Sequence, residues 1–255
     1  MLLTVDIGNT NVTCGVFREA QLVKTWRMES DARRMPDEYA IMLLAMLEHD
    51  GIKAADINEV SMCSTVPAIA ATFQELCQKY LNTEPLIVGA GVKTGVKIRM
   101  DNPREVGPDR IVHAAAAHHL YGGPLIVIDM GTATTFDTVS KDGDYLGGAI
   151  APGFAISADA LVTRTSMLPR VDLVRPKLAI GTNTIAAMQS GIIFGYIGLI
   201  EGIVGRIQKE LGAKAKVIAT GGHSRMVANE TSVIDIVNPD LILIGLRLIY
   251  DMNRS

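Results

Sequence analysis

The chain has 255 residues, a formal net charge of −3 at pH 7, 48% hydrophobic and 20% charged residues, and three cysteines. This is the composition of an ordinary globular protein, long enough for one large domain or two of about 120 residues, and its charge gives no sign of a nucleic-acid surface. Cys14, Cys63 and Cys77 are scattered, lack metal-ligand spacing and cannot all pair within one chain, which fits a reducing cytosol.

In chain order, Leu2-Leu3-Thr4-Val5 opens a strand directly, with no basic region or cleavage site resembling an export signal. Strands are expected at 2–7, 12–18 and 21–28. Pro36-Asp37-Glu38 suits a helix start and Gly51 its end, with Ile41, Leu44, Ala45 and Leu47 as the apolar face. A strand at 59–65, a helix at 67–81, a strand at 85–88 and a helix at 108–121 complete the first half. The second half repeats the order: strands at 125–129, 133–139 and 144–150, then helices, strands at 216–219 and 233–237, and a helix at 239–251. Twice βββαβαβα implies an α/β fold of two mixed sheets covered by helices, with halves 1–122 and 123–255 and a hinge near Gly122-Gly123-Pro124. The most apolar stretch, Gly191 to Val204, is too short for a membrane span and reads as a buried helix.

Two matching turns carry the chemistry, Asp6-Ile7-Gly8-Asn9-Thr10-Asn11 and Asp129-Met130-Gly131-Thr132-Ala133-Thr134-Thr135. Each places a carboxylate at a strand end, then a glycine permitting close backbone approach, then hydroxyl and amide donors. Such a turn can hold an oxyanion, and a metal ion or its waters would relieve repulsion between carboxylate and phosphate. Two copies in equivalent contexts point to a nucleotide in the cleft between the halves. With so little net charge, local geometry must hold it.

Gly107-Pro108-Asp109-Arg110 is a helix N-terminus with Pro108 at the first helical position. Asp109 either only complements the helix dipole or accepts a proton from an attacking hydroxyl while Arg110 binds an anionic group. Phosphoryl transfer has a loose transition state, so a base there mainly orients the nucleophile. Gly147 to Gly153 is either a tight bend or a place where a ligand or second backbone comes close. Thr220-Gly221-Gly222-His223-Ser224 suits either nucleotide contact or a turn, with His223 simplest as a helix-start residue. Glycines 191, 195, 198, 202 and 205 form one helical stripe, costing about 1 kcal/mol each relative to Ala. A closely packed second helix, within the subunit or across a dimer two-fold, would compensate. The remaining histidines and the methionines read as surface or core residues.

With these residues in view the chain resembles the type III pantothenate kinases of the acetate and sugar kinase, Hsp70 and actin superfamily. Gly148 to Gly153, Gly181-Thr182-Asn183-Thr184 and Gln189-Ser190-Gly191 extend the match nearly end to end. The resemblance implies a ribonuclease H-like, actin-like fold and ATP-dependent phosphorylation of pantothenate, the opening step of coenzyme A synthesis. It implies a cytoplasmic homodimer using magnesium and a monovalent cation, potassium or ammonium, with no nucleic-acid or membrane partner. By position, Asp6, Ile7, Gly8, Asn9, Thr10, Asn11, Val12 and Thr13 would hold the ATP phosphates with Thr132 adding a contact, and Asp6 would dispose the magnesium ion. Asp109 would accept the proton. Met100, Gly107, Pro108, Asp109, Arg110 and Thr184 would enclose pantothenate, and Asp129 would bind the monovalent cation. Met100 stands where many members have a tyrosine that contacts pantothenate, so it keeps apolar bulk without the hydroxyl, a loss of about 0.5–1.5 kcal/mol that a water can offset. A non-catalytic regulatory relative, or a superfamily kinase or phosphatase with another substrate, shares the two-turn architecture.

Overall fold

A computed structural model describes residues 1–254. The first half opens as a meander: β1 (Leu2–Ile7), β2 (Asn11–Arg18) and β3 (Gln21–Glu29) pair antiparallel because the linking turns are too short for a crossover. Helix α1 (Pro36–His49) leads to β4 (Glu59–Ser64), parallel to β1, and α2 (Pro67–Leu81) leads to β5 (Leu86–Ile87), with α3 (Pro108–Tyr121) following. The sheet order is β3-β2-β1-β4-β5.

The second half repeats the pattern with β6 (Leu125–Met130), β7 (Ala133–Val139), β8 (Tyr145–Pro152), α4 (Phe154–Arg164), α5 (Thr184–Leu211), β9 (Lys216–Thr220), α6 (Ser224–Ala228), β10 (Ile236–Val237) and α7 (Leu241–Asn253). Its order, β10-β9-β6-β7-β8, is the first sheet's order read from the other edge. The duplicated βββαβαβα with two mixed sheets is therefore present. β1 and β6 read as nearly continuous apolar runs because each lies inside its sheet, with both faces covered.

Strand alternation separates two cores on the first sheet. Leu3, Val5 and Ile7 pack with Tyr39, Leu43 and Leu47 of α1 and Phe73 of α2, while Leu2, Phe17 and Cys63 pack with Val112 of α3 and Leu243 and Leu246 of α7. The buried face of α1 is Tyr39, Ala40, Leu43 and Leu47, whereas Ile41, expected inside, is 69% exposed. The helix is rotated because Tyr39 behaves as a core residue whose hydroxyl reaches the carbonyls of Glu29 and Asp31, both at 3.2 Å.

The chain forms two compact units, one of Met1–Val96 and Asp101–His119 with α7, the other of Lys97–Met100 with Leu120–Pro239. This differs from a division at residue 122. Ser61 Oγ donates to the Leu246 carbonyl at 3.0 Å, and Gly245 sits where a Cβ would stand 2.5 Å from the Val112 carbonyl, so α7 completes the first unit. Lys97–Met100 joins the second unit through an Ile98–Tyr145 bridge and an Arg99–Asp144 ion pair at 2.7 Å.

α5 runs for 28 residues, twice the apolar stretch apparent in the sequence, and by length and composition alone could cross a membrane. One face, including Ile192, Ile193, Tyr196, Ile200 and Val204, is buried against the second sheet's core. The opposite face carries the glycine stripe and is exposed, so the helix is half-buried rather than buried. A Cβ at Gly191, Gly195, Gly198 or Gly205 would meet nothing within 4 Å.

Candidate active site

In the first unit, Asp6 lies at the last turn of the β1 ladder, opposite Thr13 of β2 and beside Cys63 of β4. The parallel register brings the Cys63 thiol to donate to Asp6 Oδ1 at 3.4 Å. Burial first, then the Asp6 and Asp109 carboxylates, push that thiol well above its ordinary value, so it remains a protonated donor. The following turn closes on itself through Gly8 N–H to the Asn11 carbonyl at 3.0 Å. It is tied to the chain after β3 by Ser30, whose hydroxyl donates to the Gly8 carbonyl at 2.6 Å and whose N–H donates to the Thr10 carbonyl at 3.0 Å.

Asp109 occupies the first turn of α3. Its Oδ1 is buried with no hydrogen-bond partner in the structure. Gly107 makes room for it: a Cβ there would stand 2.4 Å from that oxygen. An unpaired buried carboxylate oxygen costs stability unless something uses it, a cost that complementing the helix dipole does not require. Asp6, Gly107, Pro108, Asp109 and Arg110 all belong to the first unit.

The Asp129 turn in the second unit is built differently. Gly131 N–H bonds the Ala133 carbonyl at 3.1 Å and Gly153 N–H bonds the Thr132 carbonyl at 3.2 Å. Gly153 could carry no side chain, since its Cβ would lie 2.2 Å from that carbonyl oxygen. Gly221, at φ +88°, presses against Asp129 Oδ1 and the Met130 backbone, with Cβ distances of 2.6 and 2.7 Å. The glycines following β8 and β9 thus serve close backbone approach, one of the two readings open for Gly147 to Gly153 and a role not foreseen for Gly221. Tyr196 donates to or accepts from Thr134 at 2.6 Å, fixing the strand that leaves the turn.

Met100 and Thr184 also fall in the second unit. Met100 packs toward Gly147, 3.7 Å from where a Cβ would be. Thr184 is the first residue of α5, capped by the Asn183 side chain accepting from Ala186 N–H at 2.9 Å. His223 is the N-cap residue of α6 with its ring 5.2 Å from that of Phe154, a structural placement. Ser30 and Cys63 support the Asp6 turn without any local sequence signal. Neither belongs to a motif, and only the strand pairings reveal them.

A family model described as type III pantothenate kinase matches residues 2–206. The chain belongs to the type III pantothenate kinase family. The type III pantothenate kinases of Dehalococcoides mccartyi strains CBDB1 and ATCC BAA-2266 / KCTC 15142 / 195 are 58% and 56% identical to it, over 99% and 100% of this chain and 96% and 98% of theirs. Family membership makes it a phosphotransferase acting on pantothenate with ATP, at the entry to coenzyme A synthesis. Among solved structures, the fold is shared with a Baf family protein from Campylobacter jejuni (TM-score 0.64, 20% identity, 98% of each chain). It is shared too with a polyphosphate/ATP-glucomannokinase from Arthrobacter sp. strain KM (0.53, 13%, 99% of each) and a ROK hexokinase from Thermus thermophilus (0.52, 13%, 99% of each). These likenesses bear out the actin-like fold.

Proposed function

We propose that this pantothenate kinase uses Asp109 to take the proton of the substrate's terminal hydroxyl as it attacks the γ-phosphoryl group of ATP. The buried, unpartnered Oδ1 of Asp109 at a helix N-terminus is the observation that carries the assignment. The proton leaves late in a loose transition state, so the carboxylate's main task is to orient the hydroxyl. Arg110, Gly107 and Pro108, with Met100 and Thr184, are assigned to pantothenate. Asp6 to Thr13, with Thr132, are assigned to the phosphates of ATP.

Asp6 suits a magnesium ion held mostly by phosphate oxygens and water, which asks one or two carboxylates of the protein. Consistent with that, the described residues contain no group of three or more His, Cys, Asp or Glu placed to form a protein cage. When bound, the ion supplies charge neutralisation on the phosphates. Asp129, a carboxylate in a turn rich in backbone carbonyls, suits potassium or ammonium. This would offset phosphate charge without a lysine, and Asn9 to Thr13 indeed contain none.

The chain is further assigned a cytoplasmic homodimer, with a second copy covering the glycine face of α5. Met167 (90% exposed), Leu178 (71%) and Ile180 (83%), on the segment between α4 and α5, add apolar surface for the same contact. An ADP-coupled assay with pantothenate, with and without potassium, tests the reading. ADP release that requires pantothenate, rises with potassium or ammonium and vanishes in Asp109→Asn supports it. ATP binding without pantothenate-dependent turnover under any of these salts overturns it.

A further inference from the structure

We propose that Ser30 is a positioning residue for the phosphate turn, setting its peptide planes for ATP while touching no substrate itself. The proposal rests on the kinase reading of the Asp6 turn. A carbonyl oxygen facing a triphosphate is repulsive, so a phosphate-holding turn must point its carbonyls elsewhere. Ser30 supplies a donor to each of two: its hydroxyl to Gly8 at 2.6 Å and its N–H to Thr10 at 3.0 Å. In a trans peptide the C=O and the following N–H point opposite ways. Holding the Gly8 carbonyl toward Ser30 therefore turns the Asn9 N–H to the other side of the turn.

Ser30 is itself held in place. On either side of it, Asp31 N–H donates to the Tyr39 hydroxyl at 2.8 Å, and that hydroxyl lies 3.2 Å from the Glu29 carbonyl. Tyr39 is fully buried in α1, its ring tilted against that of Phe73 of α2 with centroids 5.0 Å apart. A continuous chain of contacts thus runs from the helical core through Tyr39 and Ser30 to the turn, which explains how a loop of small polar residues keeps one geometry.

Ser30→Ala, Ser30→Thr and Tyr39→Phe test the idea by steady-state kinetics and by calorimetric titration of ATP alone. Removing one hydroxyl–carbonyl bond should raise the KM and Kd for ATP roughly two- to tenfold. The KM for pantothenate should stay unchanged, and Ser30→Ala should lower the melting temperature by no more than a few degrees. Ser30→Thr, which keeps the hydroxyl, should restore ATP affinity to within about twofold of the parent, and Tyr39→Phe should raise the ATP KM by less than Ser30→Ala. Unchanged ATP affinity in Ser30→Ala, equal impairment in Ser30→Thr, or a loss spread evenly over kcat and both KM values in step with stability would each overturn it. If the parent binds ATP but does not turn over pantothenate, the kinase reading fails, and the ATP titration alone still decides the role of Ser30.

Discussion

The two units share strand order and turn sequence yet surround their turns with different chemistry. Around Asp6 lie side-chain donors, Cys63 and Ser30, with Asp109 near enough to act on the same thiol. Around Asp129 the neighbours are glycines, 153 and 221, which let backbone close in where side chains cannot fit. A duplicated scaffold has thus separated into one half whose turn takes hydrogen bonds from side chains of neighbouring segments and another whose turn is in addition crowded by backbone that only glycine admits. Substitutions at Asp109 and Gly107 in the first unit should damage catalysis, and those at Gly153 and Gly221 in the second should damage folding.

Asp109→Asn gives the largest effect expected from that division, a fall in kcat of about 10²–10⁴-fold with the melting temperature preserved. A variant that turns over normally would remove the base from the first unit. Gly107→Ala comes next. Its new methyl meets the movable end of Asp109, so the fold should survive while the displaced carboxylate lowers kcat by up to roughly 10²-fold. Circular dichroism melts beside kinetics would show whether both halves of that statement hold.

Gly221→Ala inverts the pattern. A methyl at a positive φ, against the Asp129 carboxylate and the Met130 backbone, should cost about 1–3 kcal/mol, seen as a lower denaturation midpoint, before any kinetic defect is considered. Equal stability of Gly221→Ala and the parent would dissolve the contrast.

The smallest effect is alkaline. All three cysteines are buried in the first unit, and burial holds Cys14 and Cys63 well above their ordinary 9.0 and pushes Cys77 up to about 12. The folded state keeps protons that the unfolded chain releases, so this stability is full below pH 9 and is lost as pH rises past it. At pH 9 the loss is about 0.4 kcal/mol per thiol. Hydrogen exchange should show the first unit loosening before the cysteine-free second one, and the reverse order would contradict the assignment.

The repeat was legible because its signals are local. Two Asp-x-Gly turns follow apolar runs, prolines open α1, α2 and α3, and glycines follow α1 and α5. What escaped depends on pairing across distance. Nothing near Cys63 announces that β4 lies in register with β1, and nothing near Ser30 announces the turn it holds. The face of α1 was misjudged because Tyr39, polar on paper, is buried once two backbone carbonyls receive its hydroxyl. The place of α7 was hidden for the same reason. Its apolar composition requires a partner surface without saying which sheet supplies one.

That placement bears on biosynthesis. The strands of the first unit are synthesised well before α7 and cannot seal one face of their sheet until it emerges, so Leu2, Phe17 and Cys63 wait for Leu243 and Leu246. The first unit thus completes its long-range contacts only after the second unit has been synthesised. Removing α7 should therefore injure the end of the molecule that was made first.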